Sequence, residues 1–141
     1  MSTVIETMSL AVHQHQAGNL PEAERHYRQV LQMDPRQVDA MHMLGLLAHQ
    51  GGRNDVALGY LTEAVRLKPD FAEAHNNLGG VLRDLGHLNE AMASWRRALQ
   101  IKPDSPEISR NLGMALLELR QSEESRRSPA EPALQERRPE P

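Results

Sequence analysis

The chain has 141 residues, with one tryptophan, two tyrosines, one phenylalanine and no cysteine. Its core must therefore be built from leucine, alanine, valine and methionine, without disulfides or thiol chemistry. Hydrophobic residues make up 39% and charged residues 25%, the balance of a soluble domain, and a net charge of −3 supplies no overall basic field for nucleic acid or an anionic membrane.

The opening MSTVIETMSLAV has no basic region ahead of its apolar residues and carries Glu6, so it does not read as a signal peptide. No stretch approaches the roughly 18 apolar residues of a membrane span. The expected location is the cytoplasm. A first helix is predicted near 4–17 and stops at Gly18. Asn19 is a good N-cap for a second, 21–33, with Pro21 in the first turn, where a missing N–H is harmless. A third helix covers 38–51 and a fourth 54–67, ending before Pro69.

The fifth helix, 72–85, holds "EAHNNLGGVLRDLG", two adjacent glycines inside a helical pattern. Ala74, Leu78, Val81, Leu82 and Leu85 form one helical face, and Gly86 accepts the left-handed C-terminal cap. The sixth, 88–101, carries the stripe Leu88, Ala91, Met92, Trp95, Ala98 and Leu99, with Pro103 beyond its end. The seventh, 106–120, carries Ile108, Leu112, Ala115, Leu116 and Leu119. No segment alternates as a strand, so the fold class is all-α. From Ser122 to Pro141 the chain holds four prolines, mixed charges and no aromatic, which predicts a disordered tail.

The helices repeat. Pro35, Pro69 and Pro103 recur every 34 residues, as do Gly18, Gly52 and Gly86, Ala23, Ala57 and Ala91, and Leu10, Leu44, Leu78 and Leu112. A small residue follows each of those leucines: Ala11, Gly45, Gly79 and Gly113. The unit resembles the tetratricopeptide repeat, whose pattern runs Leu-Gly, then Ala, then a large residue, then Pro. "LGLLAHQGGRNDVALGYLTEAVRLKP" and "LGGVLRDLGHLNEAMASWRRALQIKP" carry that order, with Tyr27, Leu61 and Trp95 as the large residues. The resemblance implies a right-handed superhelix, an α-solenoid of repeats at 4–37, 38–71 and 72–105. A lone helix of an incomplete fourth repeat, 106–121, and the tail 122–141 complete it.

The chain departs from the family in several columns. The usual early Trp is replaced by Thr7, Met41, His75 and Ser109, the later Tyr by Gln14, Ala48, Leu82 and Leu116, and Asn54 stands where Leu20 and Leu88 occur. The second repeat is therefore expected to be the least stable. The repeats also look like those ahead of bacterial glycosyltransferases related to O-linked N-acetylglucosamine transferase and of some sulfotransferases; this chain has no room for such a catalytic domain.

The resemblance places the first helices along a concave groove. It lines that groove with Met8, Ser9, Val12 and His15, then His42, Met43, Leu46 and His49. Asn76, Asn77, Gly80 and Asp84 follow, then Arg110, Asn111, Met114 and Leu117. In the transferase relatives asparagines at the place of Asn77 and Asn111 grip a peptide backbone; an amide offers both donor and acceptor to any peptide bond. Ser9 and Met43 fill the earlier rungs, so the ladder is half present. The bland alternative is that the two asparagines are solvated or bond one another. Met8, Val12, Met43 and Leu46 form an apolar half that suits an adaptable partner surface or packs between helices. Gly79 falls in the column of small residues that lets paired helices approach. Gly80 does not, and is expected to leave a notch in the groove floor. The carboxylate clamp of chaperone-binding repeats is not expected, because its places hold Met8, Val12, Met43, Glu73 and Asn77.

Catalysis and cofactors are not expected: Gly79-Gly80 is not followed by the Gly-Lys-Ser/Thr of a phosphate loop. No metal is expected either, since His15, His42 and His49 lack ligand spacing, although groove histidines could make partner binding pH-sensitive. Arg96-Arg97, Arg126-Arg127 and Arg137-Arg138 lack interleaved aromatics and read as solvated surface, not nucleic-acid contacts. The last helix is rich in leucine where repeat arrays place a polar cap, so Leu112, Leu116 and Leu119 are expected to be sticky: either the chain self-associates there or it belongs to a longer array. The reading is a non-catalytic scaffold that binds an extended peptide or a partner helix, the alternative being the substrate-recognition region of a glycosyltransferase or sulfotransferase.

Overall fold

The computed structural model describes residues 2–127. Seven α-helices follow one another: α1 (Val4–Gln16), α2 (Leu20–Met33), α3 (Val38–Gln50), α4 (Asn54–Leu67), α5 (Ala72–Asp84), α6 (Leu88–Ile101) and α7 (Pro106–Arg127). Among the described residues there is no strand, and no helix is long and apolar enough to cross a membrane. The helices pair α1 with α2, α3 with α4 and α5 with α6, and each pair packs on the next in chain order.

The turns within the pairs are built alike. Gly18, Gly52 and Gly86 follow the first helices with φ of 83°, 75° and 87°, the left-handed conformation in which only glycine avoids a Cβ clash. Asn19 precedes α2 as expected, but its side chain makes no capping hydrogen bond. Thr3 does cap α1, its hydroxyl accepting from the Glu6 N–H at 3.1 Å.

The closest contact inside a pair falls at the small-residue column. A Cβ on Gly45 would lie 2.6 Å from Leu61 Cγ, and one on Gly79 would lie 2.6 Å from the Trp95 ring. Trp95, Tyr27 and Leu61 are fully buried. The core runs in two overlapping parts that share α3. Ala40, Leu44 and Leu47 face back onto α1 and α2, while Met41 and Ala48 face forward with Ala57, Leu61 and Phe71.

Two departures from expectation have physical causes. α7 continues to Arg127, so 122–127 are helical where the sequence suggests disorder; Glu, Ser and Arg there contain no glycine or proline to break the helix. The rest of the expected tail, 128–141, lies outside the described residues. Of the leucines expected to be sticky, Leu112 and Leu119 are partly buried against the core, and Leu116 remains exposed with Met114 and Leu117.

Three substitutions test this packing. Gly79→Ala should destabilise the chain by about 1–3 kcal/mol in urea denaturation, because overpacking against Trp95 outweighs the better helix propensity. Gly113→Ala, with nothing within 4 Å of its Cβ, should not. The side-chain oxygen of Asn54 is buried without a partner, so Asn54→Leu should stabilise by about 1 kcal/mol; a lowered midpoint would contradict this.

Candidate functional site

The first helices of successive pairs lie side by side, α3 against α5 and α5 against α7. Their facing side chains bond with one recurring offset of 35 residues. Asn77 Nδ2 lies 2.6 Å from His42 Nε2, Asn111 Nδ2 donates to Asn76 Oδ1 at 3.0 Å, and His49 Nε2 lies 2.6 Å from Asp84 Oδ2. Since a first helix recurs every 34 residues, each bond links one position to the next position of the following repeat. The same offset pairs Met8 with Met43, both partly buried against the core formed by α1, α2 and α3. The face thus carries one apolar rung followed by polar ones.

Asn76 is the centre of this network. Its Oδ1 accepts from Trp95 Nε1 at 3.0 Å as well as from Asn111, and its Nδ2 faces Glu107 Oε1 at 3.4 Å. The buried Trp95 N–H, which needs an acceptor, thereby joins the helix-pair core to the groove face. Asn76 is a structural anchor more than a free binding group. Asn77 and Asn111 keep their carbonyl oxygens without a hydrogen bond among the described residues, and one of the two N–H donors of each amide is engaged. Each of these amides therefore still offers an acceptor and one remaining N–H. Asn111 bonds Asn76, not Asn77.

Gly80 does not leave an open notch. A Cβ there would meet the His49 imidazole at 3.1 Å, so this glycine seats the ring that Asp84 holds from the other side. Leu46 is partly buried; Arg110, Met114 and Leu117 are exposed on α7. Ser9 is exposed, and Val12 and His15 are partly buried, with His15 Nδ1 3.2 Å from the Tyr27 hydroxyl. Gln14, which replaces a family tyrosine, is bonded at 2.6 Å to the buried His26.

Carboxylates mark one edge of the face. Asp39, Glu73 and Glu107 stand in the first turns of α3, α5 and α7, one period apart. Glu73 pairs with Lys102 at 3.2 Å. A hydrogen bond to its own backbone, reinforced by Lys102, holds its carboxyl below the usual carboxylate range against the effect of burial. No group of three or more metal-ligating side chains forms among the described residues.

Comparison with known proteins matches this geometry. A tetratricopeptide-repeat family model matches residues 9–70, and a TPR-repeat model matches residues 79–119. The chain belongs to the tetratricopeptide repeat family. None of the curated proteins matches it significantly. Among solved structures, the first TPR domain of Spaghetti (RPAP3) bound to the HSP90 peptide SRMEEVD is similar at a TM-score of 0.79 and 20% identity, over 82% of this chain and 92% of that one. A Thermobaculum terrenum O-GlcNAc transferase mutant is 33% identical with a TM-score of 0.77, over 82% of this chain but 23% of the transferase. MamA is 21% identical with a TM-score of 0.75, over 80% of this chain and 66% of that one. Tetratricopeptide repeats of this kind make up a protein-interaction scaffold.

The His42 rung titrates. Burial pushes the imidazole below its ordinary pKa, while Glu73 and Asp39 pull it back up. Neutral His42 with its proton on Nδ1 accepts from the Asn77 amide; protonated His42 cannot. The unfolded chain takes up the proton first, at about pH 6.5. This contribution to stability is therefore complete above that value and is lost as the pH falls through it toward the folded pKa. The thermal midpoint should drop between pH 7.5 and pH 5.5, and His42→Gln, which keeps an amide acceptor but does not titrate, should show a smaller drop. Equal drops in the two proteins would assign the effect to other groups.

Proposed function

We propose that the chain is a non-catalytic scaffold, located in the cytoplasm, that holds an extended peptide or partner helix along the face of α1, α3, α5 and α7. The observation that carries this reading is the series of equivalent rungs. An apolar rung, Met8 with Met43, leads into polar rungs whose Asn77 and Asn111 carbonyls accept no hydrogen bond among the described residues. A peptide laid across them would donate its backbone N–H groups to those oxygens and place apolar side chains against Met43, Leu46 and the exposed Met114 and Leu117. Repetition at one period suits an extended chain, whose own hydrogen-bonding groups repeat.

The reading does not extend to an acidic carboxyl terminus of the kind in the peptide bound by Spaghetti. Met8, Val12 and Met43 offer no charge there, one of the two N–H donors of Asn77 is engaged by His42, and Asp39, Glu73 and Glu107 would repel a carboxylate. A second reading is favoured by the 33% identity to the Thermobaculum transferase: the chain is, or derives from, the substrate-recognition repeats of an O-GlcNAc-transferase-like glycosyltransferase or of a sulfotransferase.

Panning a random dodecapeptide display library on immobilised wild-type chain tests the groove. Selected peptides should bind Asn77→Ala/Asn111→Ala at least about tenfold more weakly, a loss of roughly 1.4 kcal/mol. They should bind a Gln29→Ala control on α2 unchanged. Equal affinity for all three proteins would remove the asparagines from the site.

A further inference from the structure

α7 presents a seat that is filled in the other repeats. At Gly45 the seat is occupied by Leu61 and at Gly79 by Trp95, each at 2.6 Å from the missing Cβ. Gly113 holds the same column, and no described residue lies within 4 Å of its Cβ position. Leu116, one turn further along the same side of α7, is 43% exposed, whereas its equivalents Ala48 and Leu82 are buried. The place of the turn glycines 18, 52 and 86 is taken on α7 by Arg120, and the helix runs straight through it. Among the described residues no second helix therefore folds back over Gly113 where the first three repeats make their turn.

We infer that this face of α7 pairs with the same face of a second copy of the chain, the two helices antiparallel, each Leu116 seated over the partner's Gly113. The face is self-complementary. Gly113 and Leu116 lie three residues apart on one side of the helix, so a two-fold axis midway between them sets knob against seat twice, as a symmetric dimer requires. A leucine is the right size, because Leu61 already fills the equivalent seat at Gly45. Leu117 then flanks the partner's Leu112. In the same register Arg120, whose guanidinium bonds Glu124 at 3.3 Å, faces the uncharged Ser109. Parallel pairing would instead set Leu116 beside Leu116 and leave each Gly113 seat unfilled. The pairing uses none of the asparagine rungs and shares only Leu117 with the peptide-binding reading, so Leu116→Glu and Asn77→Ala/Asn111→Ala test the two separately.

Sedimentation equilibrium of the full chain, with circular dichroism on each variant, tests the dimer. An interface this small should dissociate with a Kd of roughly 10–100 μM. Leu116→Glu and Gly113→Leu should each weaken it at least tenfold without loss of helicity, because both positions are open in the single chain. The native chain has no cysteine, so orientation can be read by oxidative cross-linking. Ser109→Cys mixed with Arg120→Cys should give a mixed disulfide dimer, while neither variant alone should cross-link. A monomer throughout the concentration range would overturn the proposal. So would a dimer indifferent to both substitutions, or cross-linking of each variant to itself.

Discussion

The closest approach between paired helices, at a residue with no side chain, is the constraint on which the rest of this molecule depends. Glycine inside a helix costs about 1 kcal/mol relative to alanine. Truncating a buried Trp or Leu typically costs about 2–5 kcal/mol. Gly79 under Trp95 and Gly45 under Leu61 are therefore favourable as pairs although each glycine is unfavourable alone. Once a large side chain from the second helix lies flat on the first, the spacing of the pair is fixed. The turn between them is held to the same geometry by a glycine at positive φ.

That spacing propagates into the groove. In a repeat array each unit touches only its neighbours, so order must be passed on by local interfaces. Here it is passed on twice: through the apolar contacts of the second helix with the next pair, and through side-chain bonds between successive first helices. Asn76 couples the two routes. It accepts from the buried Trp95 N–H and from Asn111 on the next helix, so the packing of the third pair and the position of the following first helix are joined at one amide. A loss of packing at Gly79 would thus disturb the groove face directly.

Much of the fold was legible from period and punctuation. The 34-residue columns placed all seven helices within a residue or two, apart from the far end of α7, because turn glycines, post-helix prolines and apolar stripes are local signals that each repeat states again. The small residue at 79 was also legible, since a helical glycine that recurs in one column has a packing reason. The site was harder. A list of residues on one face does not say which of them bond each other. The bonds of Asn77 to His42 and of Asn111 to Asn76 depend on an offset of 35 between helices, one more than the repeat. That offset is visible in the sequence only if polar residues at adjacent columns of consecutive repeats are compared. Gly80 misled for a related reason: its open side faces His49, a residue 31 positions earlier that only the superposition of repeats brings near.

The rungs also explain why the groove face changes character along its length. At the first step the offset sets Met8 and Met43 in register, both partly buried against the same core cluster and without a directional bond. At the next it joins His42 to Asn77, then Asn76 to Asn111, and the contact is closed by directional bonds that leave a carbonyl oxygen over. An apolar rung can adapt to whatever lies on it, because methionine has several low-energy shapes. A bonded amide is fixed in orientation, so its carbonyl oxygen and remaining N–H point in set directions. The beginning of the face is therefore suited to shape and the later part to backbone register, so a ligand spanning both would be positioned by its hydrogen bonds and selected by the side chains it places against Met8 and Met43.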